Sequence, residues 1–294
     1  MEMNLKGIKA GKIFDAANML FLIALCITIL YPIYHMFIVS VSDGHAVLRG
    51  DIKLWPVSPS WDTYKAVLKD PDILNSYKNT FLYTTTGTLI NVTLTAFCAY
   101  PLARKKFYGR SFFAVLIIFT MFFEGGIIPE YIVIDALGLI NTMWAIVLPP
   151  AIHVFYMIIM RTFFQQIPEE IYESAYIDGA NDLRIFFRII LPLSVPVIAT
   201  ITLFYLVWHW NSFFPALMYL NEKSQYPMQL IMRNIVIAGN VAAQESAAAS
   251  MNAMITGQNI KYAVIIVTIA PILVVYPFIQ KYFVKGMMVG SLKG

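Results

Sequence analysis

Charge is scarce in this 294-residue chain: Asp, Glu, Lys and Arg make up 13% of it, about half the share usual in a soluble domain. With 59% hydrophobic residues and a mean hydropathy of +0.68, this excludes an ordinary soluble globule. Cysteine is nearly missing. Cys26 and Cys98 both lie in apolar runs, which argues against a disulfide framework and against a cysteine metal site. No G-x-x-x-x-G-K-[ST] phosphate loop occurs, so the chain is not expected to hydrolyse ATP. His35, His45, His153 and His209 do not cluster by spacing. No Ser-His-Asp or paired-carboxylate set with supporting context stands out, so neither a catalytic centre nor a metal is expected. The net charge of +4 is modest and suggests no nucleic-acid partner.

Long apolar runs are what the chain has instead. Lys6, Lys9 and Lys12 precede a run from Ala16 to Val41, which is longer than the apolar core of a signal peptide. No small-residue cleavage site stands out after it, so the expectation is an uncleaved first span. A membrane helix needs about 20 mostly apolar residues. Stretches at about 15–41, 80–102, 143–164, 190–217 and 262–283 meet this comfortably. A further stretch, about 111–128, is weaker. Its charge-free part ends at Phe123, and membrane length requires Glu124, Gly125 and Gly126. The alternative there is a buried or re-entrant segment. The expected fold is all-α and polytopic, with six transmembrane helices. Residues 1–14 form a cytoplasmic N-terminus, 42–79 an external loop, 80–283 the core with its cytoplasmic loop 165–189, and 284–294 a cytoplasmic tail.

Placement of Lys and Arg orients the bundle. With six spans, the N-terminus, the 103–110 loop, the 161–189 loop and the C-terminal end from Lys281 share thirteen such residues. The opposite side has eight, over much longer loops. The short stretch Arg104-Lys105-Lys106-Phe107-Tyr108-Gly109-Arg110 is the strongest single indicator. Both termini are therefore expected in the cytoplasm, with Glu173 on the same side.

That cytoplasmic loop is the most informative segment. Pro168 suits the first position of a helix. Glu169 and Glu170 then meet the positive end of the helix dipole. Ile171, Tyr172, Ala175 and Tyr176 share an apolar face, with Glu173 and Ser174 between. Gly179 can take a positive φ and end the helix. Asn181 or Asp182 can cap a second short helix. By periodicity alone this reads as an amphipathic surface helix with a glycine stop.

The register adds more. Glu173, Ala175, Gly179, Ile189, Leu191 and Pro192 match the coupling loop of ABC-importer permeases, with Ser174 in place of the first Ala of Glu-Ala-Ala. The chain resembles that family, the binding-protein-dependent transport inner-membrane components, from about Lys78 to its end. The resemblance implies that Glu170, Glu173, Ser174, Ala175, Asp178, Gly179, Ala180, Leu191 and Pro192 serve coupling to an ATPase. It implies a second related permease subunit, two ATP-binding subunits that carry the ATP and Mg, and an extracytoplasmic solute-binding protein. It places the chain among lipid in a bacterial cytoplasmic membrane. Ala99-Tyr100-Pro101-Leu102-Ala103-Arg104, Gly126-Ile127-Ile128-Pro129-Glu130-Tyr131, Gly138-Leu139-Ile140-Asn141-Thr142, Phe204-Tyr205-Leu206-Val207-Trp208-His209-Trp210-Asn211 and Lys281-Tyr282-Phe283-Val284-Lys285-Gly286 resemble the carbohydrate-uptake branch. Within it they resemble permeases for complex oligosaccharides and polysaccharide fragments. A permease for a peptide or polyamine shares the same loop, and a membrane-embedded enzyme is a more distant alternative.

Tyr205, Trp208, His209 and Asn211 are the candidate substrate contacts, because aromatic faces interleaved with hydrogen-bonding groups suit sugar rings. An interfacial aromatic belt explains the same row. Glu124 joins them as an acid that the third span can hardly exclude. A carboxylate reaching the outer headgroups explains it equally.

Overall fold

A computed structural model describes residues 3–245, 258–275 and 277. Every regular element among them is helical. The order is α1 (Met3–Val41), α2 (Gly44–Arg49), α3 (Asp62–Lys69), α4 (Pro71–Ala103), α5 (Arg110–Phe122), α6 (Ile127–Ala136), α7 (Trp144–Val147), α8 (Val154–Phe164), α9 (Glu169–Ile177), α10 (Asp182–Ile185), α11 (Leu191–Leu193), α12 (Val195–Asn211), α13 (Phe214–Tyr219), α14 (Met228–Glu245) and α15 (Gln258–Val275). A π-helical turn, Phe186–Ile190, joins α10 to α11. The expected tail 284–294, the end of the expected 262–283 span and the stretch Lys281 to Gly286 lie outside the described residues. The stretch Ala242 to Met251, rich in strong helix formers, is described only as far as Glu245, the end of α14.

The chain forms two compact units, Met1–Asp70 with Asn234–Ile269, and Pro71–Arg233 with Ala270–Gly294. In the first, the end of α1 is pinned by Ser40 and by Ser42 just beyond it. Ser40 Oγ shares a hydrogen bond with Tyr64 at 2.7 Å, and the Ser42 carbonyl accepts from Asn259 at 2.7 Å. In the second, α4 is the axis on which α8 and α12 pack. Its core includes Ala96, Ala99, Met157, Met160, Phe164, Ile185, Ile190 and Ile201.

Among the described residues, two helical stretches are each long and apolar enough to cross a membrane, Phe14–Val41 and Gln258–Val275. The other expected spans have a different form. The stretch 80–102 lies within α4, whose 33 residues reach about 50 Å, but it is too polar to qualify by hydropathy. Its Thr80, Thr84, Thr88, Asn91 and Thr95 are buried within the fold. The stretch 111–128 is not one helix: α5 and α6 meet at 113°. Gly126 has φ +82° and ψ 175°, a conformation open to glycine, so the helix cannot continue through it. The stretch 143–164 is broken into α7 and α8 at Pro149-Pro150. The stretch 190–217 bends by 81° at Ser194, where φ is −102° and ψ is 11°. Pro196 contributes there, since it has no N–H for the Pro192 carbonyl and its ring would collide with that carbonyl in an unbroken helix. That stretch also ends early, at Asn211. Pro271, by contrast, lies inside α15 without stopping it.

Candidate functional site

The loop that the sequence singled out is built by α9 and its stop signal. Pro168 stands just before the first helical residue, as the N-cap, with Glu169 and Glu170 in the first turn. Gly179 has φ +76°. Its N–H donates to the Tyr176 carbonyl at 3.0 Å, and the Ala180 N–H donates to the Ala175 carbonyl at 2.9 Å. This pair of bonds is the Schellman stop, which needs a left-handed residue at Gly179. Asn181 then caps α10, its side chain accepting from the Arg184 N–H at 2.9 Å.

The helix so bounded has two faces. Tyr172 and Ala175 are buried in the core below it. Glu170, Glu173, Ser174, Ile177, Asp178 and Gly179 point outward and are exposed. Ile177, an apolar residue, is 86% exposed. Ala175 therefore holds α9 down and is not on the free face. Ala180 and Leu191 are half-buried, and Pro192 is exposed.

One cation ties the inner face to α4. Arg104, immediately after α4, is buried, with its guanidinium carbon 3.5 Å from the centre of the Tyr172 ring. Its Nη2 lies 3.5 Å from Glu169 Oε1 and donates to the Tyr176 hydroxyl at 3.5 Å. The Tyr176 hydroxyl in turn donates to Asp182 Oδ1 at 2.5 Å. That bond, to an acceptor already negative, raises the Tyr176 pKa above its ordinary value, and burial adds to it. Burial also raises the Tyr172 pKa, and the neighbouring Arg104 partly offsets it.

The candidate substrate residues divide between two faces of α12. Phe204, Trp208 and Asn211 line a groove of about 760 Å³ with Tyr156, Phe213 and Phe214. Tyr205 and His209, four residues apart, turn to another face and are buried. The Tyr205 hydroxyl is 2.8 Å from Thr95 Oγ1 and accepts from the His153 N–H at 2.9 Å. His209 Nε2 is 3.4 Å from Asn91 Oδ1, while Asn91 Nδ2 donates to the Pro150 carbonyl at 2.7 Å. Tyr205 and Asn91 thus partner backbone groups freed where α7 and α8 part. Tyr205 and His209 are held by these contacts and do not line the groove. Glu124 is exposed in the break between α5 and α6 and does not line the α12 groove. Among the described residues, no group of His, Cys, Asp or Glu is arranged to hold a metal ion.

A family model described as "Binding-protein-dependent transport system inner membrane component" matches residues 77–289. The chain belongs to this family. Protein LplC of Bacillus subtilis is 42% identical over 97% of this chain and 97% of its own. The polygalacturonan/rhamnogalacturonan transport system permease protein YtcP of the same species is 40% identical over 97% of this chain and 99% of its own. A solved bacterial ABC transporter involved in the import of the acidic polysaccharide alginate contains a chain of similar fold. It is 33% identical with a TM-score of 0.85, covering 93% of this chain and 98% of that one. The resemblance read from the loop therefore extends over nearly the whole permease-family chain.

Sequence reasoning missed several residues of this permease-family chain. Arg104 stands out in the sequence for the side of the membrane it marks and as the end of the Ala99 to Arg104 stretch, not as a partner of Tyr172. Asn91, Thr95 and Gly87 were not singled out. A Cβ on Gly87 would lie 2.4 Å from Cε1 and Nε2 of His209, so the glycine makes room for the ring.

Proposed function

We propose that this chain is a permease subunit of an ATP-binding-cassette importer that carries oligosaccharides across a bacterial cytoplasmic membrane. It is a transport subunit and not an enzyme. A second related permease completes the pathway, two ATP-binding subunits hydrolyse ATP below it, and an extracytoplasmic solute-binding protein delivers the solute. Six passes with both termini in the cytoplasm place α9 beside the ATP-binding subunits. The exposed face of α9 is the observation that carries this reading. Glu173, Ser174, Ile177 and Asp178 form a small mixed surface, held in place by a buried inner face and a fixed stop. Glu173 and Asp178 offer charged acceptors, and Ile177 offers an apolar knob for a cleft.

The sugar assignment is supported by the similarity to a polygalacturonan/rhamnogalacturonan permease and to a chain of an alginate importer, and by the α12 groove. Trp208, Phe213 and Tyr156 give it aromatic walls, and Asn211 and Ser212 give it polar edges. Such a lining of ring faces with few polar groups suits a carbohydrate. The test is to purify the chain with its co-expressed partners and to screen the solute-binding protein against oligosaccharides, peptides and polyamines. ATP-dependent uptake of the ligand into proteoliposomes follows. Oligosaccharide binding and uptake are expected. A binding protein that takes only peptides or polyamines would move the chain to another branch of the family.

A further inference from the structure

Arg104 is an unusual expenditure in a chain so poor in charge. A guanidinium at the edge of a membrane bundle is costly unless it is held by partners. Here its ring, ion-pair and hydrogen-bond contacts lie on the loop after α8. Tyr172 supplies a ring face at 3.5 Å, Glu169 a carboxylate oxygen at 3.5 Å and Tyr176 a hydroxyl at 3.5 Å. Behind Arg104, the α4 carbonyl of Leu102 accepts from Arg161 Nε of α8 at 3.1 Å. Farther along, α4 carries Asn91 and Thr95, which meet His209 and Tyr205 of α12. One continuous helix therefore runs from the inner face of α9 to the packing seam in the middle of the bundle.

We propose that Arg104 is the positioning residue that makes α4 and the α9 coupling helix move as one body, so that displacement of α9 reaches the α4–α12 seam. The inference rests on the reading of α9 as the ATPase-docking helix. It requires a guanidinium. A flat cation stacks on the Tyr172 ring while it reaches Glu169 and Tyr176, whereas an ammonium acts as a single point charge.

The test uses the full complex with its partner permease, ATP-binding subunits and solute-binding protein in proteoliposomes, and reads solute imported per ATP hydrolysed. Arg104→Lys and Tyr172→Leu are expected to keep the ATP-binding subunits and to lower that ratio by about tenfold, within the range of mutational coupling effects. Tyr172→Phe keeps the ring and is expected to match the wild type. A wild-type ratio in either Arg104→Lys or Tyr172→Leu overturns the proposal. So does loss of the ATP-binding subunits from both, because Arg104 would then only shape the docking face. A wild-type complex that retains no ATP-binding subunits overturns the docking reading itself, and this inference with it.

Discussion

Replacing Gly87 with alanine places a Cβ 2.4 Å from Cε1 and Nε2 of His209, where carbon atoms in contact normally stay about 3.5–4.0 Å apart. The ring is only 5% exposed and has little room to yield. Moving it by about 1 Å, the size of that overlap, pulls Nε2 from Asn91, whose amide also serves the Pro150 carbonyl. Overpacking of this kind costs about 1–3 kcal/mol, and a disturbed buried hydrogen bond adds about 1 kcal/mol. Alanine returns about 1 kcal/mol through its helix propensity. The expected net loss is about 2 kcal/mol, or a fall in Tm of about 4–8 °C at the sensitivity usual for larger domains. His209→Ala leaves a cavity and is expected to cost about 2–5 kcal/mol by itself. In the double variant the new methyl enters the space that the ring has left. The two losses should therefore not add, with a coupling energy of about 1–3 kcal/mol in favour of the pair. Thermal unfolding of the purified, detergent-solubilised protein reads all three variants. A double variant whose loss equals the sum of the single losses refutes the packing of His209 of α12 on Gly87 of α4.

Other consequences follow from the same geometry. Gly179→Ala meets no atom within 4 Å, so its cost is that of a left-handed alanine alone, about 1–2 kcal/mol. The variant is expected to reach the membrane in normal amounts and to lose solute-stimulated ATP hydrolysis. Wild-type stimulation would remove the Schellman stop from the coupling argument. Tyr205→Phe keeps the ring but removes the hydroxyl that accepts from the His153 N–H and meets Thr95, which is expected to cost about 0.5–1.5 kcal/mol for each bond in thermal unfolding; an unchanged Tm argues that these groups find other partners. Trp208→Leu is expected to weaken uptake of an oligosaccharide without reducing complex yield, and unchanged kinetics would leave the α12 groove to the aromatic belt. Reporter fusions at Lys106 and Gly179 are expected to mark the cytoplasm and those at Ser60 and Gln244 the exterior. A cytoplasmic signal at Gln244 is incompatible with six passes.

The parts of the site that were legible in the sequence are the local ones. The α9 stop links Ala175 and Tyr176 to Gly179 and Ala180, so all its donors and acceptors fall within a few residues. The Asn181 cap is equally local. The row from Phe204 to Asn211 was readable in part. Its composition suggested a sugar surface, but helical periodicity separates Tyr205 and His209 from Phe204, Trp208 and Asn211, and that separation decides which side chains reach the groove. Contacts between distant segments were not legible. Nothing near Gly87 announces His209, and nothing near Arg104 announces Tyr172. The membrane spans were blurred for a related reason. Hydropathy does not see that the glycines after Glu124 turn α5 into α6 at 113°, nor that the chain bends by 81° at Ser194.

The central claim is that the free face of α9 is covered by an ATP-binding subunit. Thiol labelling of Ile177→Cys, with Cys26→Ser and Cys98→Ser to remove background, tests it most directly. Ile177 is 86% exposed in the single chain, and Trp55, in the segment between α2 and α3, is 77% exposed and serves as the control site in a Trp55→Cys variant. In the purified permease pair without ATP-binding subunits, both introduced thiols should react fast with a polar maleimide. In the complete complex, the account expects the thiol at position 177 to be protected and the thiol at position 55 to react as before. Equal labelling of position 177 with and without the ATP-binding subunits would contradict it.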